Sequence, residues 1–131
     1  MSASDVTVKS LMKWPVAVVA ESTSLRQVAE ALVADEVGAL AVMEGSHLIG
    51  VIAERDVVRQ VAAGADPEHK RAGDMMSTQP VTVTPEDTVE HAAALMREAA
   101  VRHLPVVDRA EVVGFVSIRD VLEAQAESTC C

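Results

Sequence analysis

The heptapeptide GFVSIRD at residues 114 to 120 sets a hydroxyl, a guanidinium and a carboxylate within four positions of one another, directly after an apolar run. Ser117 and Asp120 stand three apart, the spacing of a capping box, in which hydroxyl and carboxylate each satisfy an early N–H of a helix. Such a cap is worth about 1 kcal/mol and needs no ligand. The phrase returns as GVIAERD at residues 50 to 56, with Ala53 where the serine stands. Asp56 is kept although Ala53 abolishes the box in that copy, which argues for a second use of the carboxylate. Arg55 and Arg119 read as solvated residues at helix starts, able to steer an anion. Enzymatic chemistry would ask for a nucleophile beside a base, or for paired titratable groups in different surroundings. Asp56 and Asp120 lie in different copies of the phrase without a partnered histidine, so the reading is non-catalytic. His47, His69 and His91 share no metal-ligand spacing, and no metal is expected.

Composition narrows the partners. Twenty acidic and eleven basic residues give a formal charge of −9, which repels a nucleic-acid backbone and an anionic membrane alike. Trp14 and Phe115 are the only aromatic residues, too few to build a stacking platform for single strands. A small anionic ligand then requires local cations and helix N–H groups to overcome the overall field. The adjacent Cys130 and Cys131 form neither a disulfide framework nor a zinc spacing; they suit a frayed tail in a reducing compartment. With no apolar run long enough to span a bilayer and no leader-like start, a cytoplasmic protein is expected.

The two phrases belong to a larger repeat. At a constant offset of 64 residues, positions 37 to 58 align without a gap to positions 101 to 122, including Leu40/Leu104, Val42/Val106, Gly50/Gly114 and Asp56/Asp120. Each copy opens on a Pro-led β-branched run, at residues 15 to 19 and 80 to 84, suited to a strand. Thr23-Ser24 and Asp87-Thr88 then offer caps for stretches whose apolar residues recur at helical spacing. A hairpin follows in each copy, through Glu44-Gly45-Ser46 and Asp108-Arg109-Ala110, and then a second helix. The expected fold is therefore α+β, two β-α-β-β-α repeats: 8–64, a polar linker at 65–73, 74–127, and a tail at 128–131. Two helices cover one face of a small sheet, so the copies are expected to pack face to face about a pseudo-twofold axis, with two equivalent clefts. The second helices carry Val57, Val58, Val61 and Ile118, Val121, Leu122, more apolar residues than one sheet face needs. A homodimer packed through these helices is expected.

This layout resembles the tandem cystathionine-β-synthase (CBS) domain pair, or Bateman module, of the small stand-alone bacterial type. The resemblance rests on the duplicated order, on HLPVV, and on glycine followed by apolar residues, a hydroxyl position and Asp. It implies a regulatory protein, with no obligatory cofactor, that binds an adenosyl ligand such as AMP, ADP, ATP or S-adenosylmethionine. Carried over by position, it gives a main cleft in which Asp120 receives the ribose hydroxyls and Ser117 touches phosphate, with Arg119 nearby. Arg102 or His103 would supply the phosphate-reaching base, the order Arg-His leaving open which one points inward. Val37 and Gly38 would meet adenine through backbone, and Ala17 would line the pocket. The second, weaker cleft would use Asp56, Arg55 and Ala53, with Thr82, Val101 and Arg102 as its lining. The alternative class is a structural or stress-related interaction module with degenerate clefts, whose partner is a protein target.

Overall fold

The computed structural model describes residues 6–129, so Cys130 and Cys131 lie outside the described residues. The elements are β1 (Val18–Ala20), α1 (Leu25–Asp35), β2 (Ala39–Glu44), β3 (His47–Ala53), α2 (Glu54–Ala62), α3 (Ala72–Met75), β4 (Ser77–Thr78), α4 (Val89–Ala99), β5 (His103–Asp108), β6 (Glu111–Ser117) and α5 (Ile118–Thr129). A short 3-10 turn at Val8–Ser10 precedes them. The chain is α+β, as the duplicated pattern predicts, and divides into two compact units. The first is Val16–Pro80; the second combines residues 6–15 with 81–129.

In the first unit a four-stranded sheet runs in the order β1-β2-β3-β4, with β1 parallel to β2 and the other pairs antiparallel. Helix α1 begins where Ser24 Oγ accepts the Gln27 N–H at 3.2 Å and Gln27 Oε1 accepts the Ser24 N–H at 3.1 Å, a complete capping box. Its apolar stripe, Leu25, Val28 and Leu32, packs with Leu40, Val42 and Ile52 of the central strands. The helix ends at Glu36, whose φ of 53° turns the chain into β2.

The second unit repeats this plan with a smaller sheet. Strands β5 and β6 pair antiparallel, and the flanking strands contract to single bridges, Val83 with Val106 and Lys13 with Phe115. The strand expected at 80–84 is thus reduced to one residue. Pro105 accounts for this. In the first unit the Ala41 N–H donates to Ala17 O at 3.0 Å; the matching position in β5 is Pro105, which has no N–H to donate to residue 81. What survives is the pair Val83 N–H to Pro105 O and Val107 N–H to Val83 O. The core, formed by Val89, Ala92 and Met96 of α4, Leu104, Val106 and Val116 of the hairpin, and Val121 of α5, is fully or nearly fully buried. Val121 is therefore core, and of the three residues expected to be surplus on α5 it is Leu122 that stands exposed.

The units do not coincide with the repeats, because each takes in the leading segment of the other copy. Residues 6–15 belong to the unit of the second repeat, and residues 72–80 to the unit of the first. Val8 is buried in the core of the second unit, while Ala72 and Met75, from the matching place in the second copy, are buried in the first. Two glycines admit these segments. A Cβ on Gly50 would stand 2.5 Å from Met76 Sδ, and one on Gly114 would stand 2.9 Å from Met12 Sδ and 3.0 Å from Lys13 O. Both glycines adjoin a bulge in their own strand, with Ile49 and Val113 as the extra residues opposite Val42/Met43 and Val106/Val107, so a bulge and a bare backbone coincide in each copy.

The segment read as a polar linker is packed over the start of α1. Lys70 O and Pro67 O accept the Leu25 and Arg26 N–H groups at 2.8 and 2.9 Å, and the Arg26 guanidinium pairs with Glu68. These carbonyls satisfy donors that a helix start leaves without partners. Asp66 accepts the Glu68 N–H at 3.0 Å and meets His69 Nδ1 at 2.6 Å, and these bonds hold its carboxyl below the usual value of 3.8. A lowered pKa means that the fold favours the carboxylate, so this small exposed contribution is complete above the ordinary value and fades as pH falls through the lowered one. NMR titration of the Asp66 carboxyl should give a midpoint below 3.8, and a midpoint at or above it would contradict the assignment.

Gly114→Ala should destabilise the protein by about 1–3 kcal/mol in urea denaturation, because Lys13 O is backbone and cannot turn away as a side chain can. The β5–β6 turn gives the opposite case. Arg109 and Ala110 both have positive φ, 52° and 68°, as a type I′ turn requires. Replacing them by Asn-Gly should raise stability by about 1 kcal/mol, measured in the same way.

Candidate functional site

In both copies the second strand of the hairpin runs directly into a helix, β3 into α2 and β6 into α5, and the shared geometry of that junction is set by the chain itself. Ile118 N–H donates to Arg102 O at 2.8 Å, and Glu54 N–H donates to Gly38 O at 3.0 Å, so each helix start is tied to the turn before the preceding hairpin. In the second unit Ser117 closes a full capping box. Its Oγ accepts the Asp120 N–H at 3.2 Å and donates to Asp120 Oδ2 at 2.9 Å, while its N–H reaches the same Oδ2 at 3.0 Å. Among the described residues Asp120 is one of two buried polar ones, at 8% exposure, the other being the N-cap Ser24. The N–H groups of Ser117, Ile118 and Asp120 thus have protein partners, and an anion brought to α5 would have to exchange with them.

The first unit corrects one inference from sequence. Ala53 does not abolish the cap at α2, because Asp56 Oδ2 still accepts the Ala53 N–H at 2.8 Å. An alanine has no hydroxyl to answer the Asp56 N–H, so half of the box is lost and half remains. Retention of Asp56 is accordingly explained by capping alone and does not by itself point to a ligand.

The structure adds a residue that the repeat comparison passed over. Lys13 exchanges both backbone hydrogen bonds with Phe115, Lys13 N–H to Phe115 O at 2.8 Å and Phe115 N–H to Lys13 O at 3.1 Å. That pairing fixes its Cα on the edge of β6, and its side chain, 76% exposed, brings Nζ to 3.7 Å from Asp120 Oδ1. The two oxygens of Asp120 therefore do different work: Oδ2 is held by the cap, and Oδ1 faces a cation. At the offset of 64 the residue matching Lys13 is Ser77. Among the described residues Asp56 has no ion-pair partner. The signal for Lys13 was present in the sequence, as a second asymmetry between the copies beside the Ser117/Ala53 exchange.

The other expected residues divide between the units. Arg102 is exposed and His103, at the start of β5, is half-buried; Arg119 is exposed on α5, and Val101 and Thr82 are exposed in the same unit. Ala17, Val37 and Gly38 are half-buried in the first unit, with Ala53 and Asp56, whereas Arg55 is exposed. Direct contacts join Ser117, Asp120 and Lys13 within one unit. Among the described residues no group of three or more His, Cys, Asp or Glu side chains could hold a metal ion, and no helix is long and apolar enough to cross a membrane.

Two segments, residues 8–63 and 72–127, match the model of the CBS domain. The chain belongs to the CBS domain family. It is 30% identical over 115 residues to the CBS domain-containing protein YhcV of Bacillus subtilis, covering 88% of this chain and 82% of that one. It is 39% identical over 94 residues to the mitochondrial CBS domain-containing protein CBSX3 of Arabidopsis thaliana, covering 67% of this chain and 46% of the relative, so the match spans less than half of that plant protein. Among solved structures, a CBS domain protein of Pyrobaculum aerophilum complexed with AMP superposes with a TM-score of 0.82 at 31% identity, over 93% of this chain and 99% of that one. The repeat offset, the caps and the glycine junctions described above are thus the local physics of a CBS pair.

The two caps should differ in strength. Ser117→Ala should cost about 1 kcal/mol in chemical denaturation, and Ala53→Ser should add a similar amount by completing the box at α2. Equal and negligible effects from both changes would show that the two junctions do not depend on the hydroxyl.

Proposed function

We propose that this CBS pair is a regulatory, non-catalytic module that binds an adenosyl ligand, with Asp120 of the second unit as the acceptor of the ribose hydroxyls. The observation that carries the reading is the division of labour at Asp120: one oxygen is fixed by the helix cap, which orients the other toward an exchangeable cation. A carboxylate oxygen so oriented suits a vicinal diol, because hydrogen bonds to a charged acceptor contribute roughly 1.5–3 kcal/mol. Ser117, whose hydroxyl can rotate away from Asp120, is the neighbouring group for the phosphate. The AMP complex of the Pyrobaculum aerophilum relative supports the ligand class.

Asp56 offers the same carboxylate with less around it, Ala53 in place of the hydroxyl and Ser77 in place of the lysine. Its preference should lie with uncharged adenosyl compounds, or it should take none. A response to ligand would be read out as a change in the surface offered to a partner, by population shift between arrangements of the chain. The exposed Val58 and Val61 of α2 and Leu122 of α5 favour a protein contact as a second role, a homodimer through these helices being the simplest form.

Isothermal calorimetry with AMP, ADP, ATP, S-adenosylmethionine and adenosine decides the question. At least one should bind, and Asp120→Asn should weaken it by about ten- to a hundredfold while leaving the cap's hydrogen-bonding shape in place. A flat response to the whole panel would sink the sensing proposal and leave the interaction module as the reading.

A further inference from the structure

We infer that Lys13 sets the ligand charge accepted at the Asp120 site, selecting nucleoside phosphates over adenosyl compounds that are neutral or positively charged. The inference rests on the adenosyl reading of that site and goes beyond it by naming the class of ligand and the residue that chooses it.

Three observations meet at this point. The backbone of Lys13 is fixed by its two hydrogen bonds to Phe115 and by the close approach to Gly114, so the base of the side chain is not free to wander. Its head is exposed and lies 3.7 Å from Asp120 Oδ1, a distance at which it neutralises the carboxylate without a tight hydrogen bond. The first copy reproduces neither this lysine nor Ser117: Ser77 and Ala53 stand at the matching positions.

A ligand whose ribose engages Asp120 Oδ1 shares or displaces this ion pair. If it carries a phosphate, that second anion replaces the share of the carboxylate that the ammonium yields to the ribose. If it is adenosine or a thioether, Lys13 must give up part of its pairing with no replacement. If it is a sulfonium, the two cations compete for one carboxylate. The chain's overall charge of −9 sharpens the need for such a residue, since an incoming nucleotide is repelled until a local cation compensates.

The test compares the intact protein with Lys13→Gln and Lys13→Arg, titrated with AMP, adenosine, 5′-methylthioadenosine and S-adenosylmethionine. Lys13→Gln should weaken AMP by about tenfold, leave adenosine and the thioether within about twofold, and improve the sulfonium. Lys13→Arg should keep the preference for AMP. Raising salt should weaken AMP binding to the unaltered protein more than to Lys13→Gln. Because the side chain is exposed and its structural bonds are made by backbone, both variants should melt within a few degrees of the parent, as circular dichroism can check. AMP binding that survives Lys13→Gln unchanged, or an equal loss of AMP and adenosine, overturns the role of Lys13 while leaving the adenosyl site standing. An unaltered protein that binds none of the four compounds overturns the site and the inference together.

Discussion

The absence of a side chain at two positions governs the rest of the molecule. Because Gly50 and Gly114 present bare backbone, a methionine from the other repeat's leading segment can lie against each, and the segment that follows it can pair with the edge of the hairpin. Met12 against Gly114 sets Lys13 on the edge of β6, and that edge runs straight into Ser117 and Asp120. A Cβ at Gly114 would therefore disturb more than packing: it would move the strand that carries the cation facing the buried carboxylate. Packing, strand pairing and site electrostatics hang on one van der Waals allowance.

Much of this was legible in the sequence because the repeat is written at constant offset and each copy checks the other. The caps at Ser24 and Thr88, the helix stripes and the hairpins follow from local pattern, and the structure has them at those places. Pairing between distant segments was less legible. Residues 6–15 fold with 81–129, and nothing in their own periodicity says which hairpin they will join; that choice is made by long-range burial of Val8 and Met12. The short first strand of the second unit was written in Pro105, but its effect becomes visible only when the neighbouring strand's register is known, since a missing donor matters only opposite an acceptor.

The site was half legible for a related reason. Ser117 and Asp120 advertise themselves by spacing, whereas Lys13 lies 107 positions before Asp120 and reaches it through an edge pairing that sequence does not specify. The comparison of copies did contain the clue, as Lys13 against Ser77. It carried no weight until the structure put that residue beside the same carboxylate. The opposite error attended Asp56, whose retention beside Ala53 suggested a ligand although the backbone N–H of an alanine can be capped as well as that of a serine.

On the proposed reading, capping and ligand binding at Asp120 would be one arrangement seen from two sides. A free aspartate samples several rotamers, and a ligand that needs one of them must meet the cost of selecting it. Here the Ser117 hydroxyl and N–H already hold Oδ2, so the orientation of Oδ1 is settled before any ligand arrives, at the expense of folding and not of binding. Asp56 is held by one such bond, with no hydroxyl to add a second. The same loss that weakens its cap leaves its second oxygen less well aimed. Two carboxylates at matching positions thus differ in preorganisation as well as in the charge beside them, and both differences favour the second unit as the place where a nucleotide would bind.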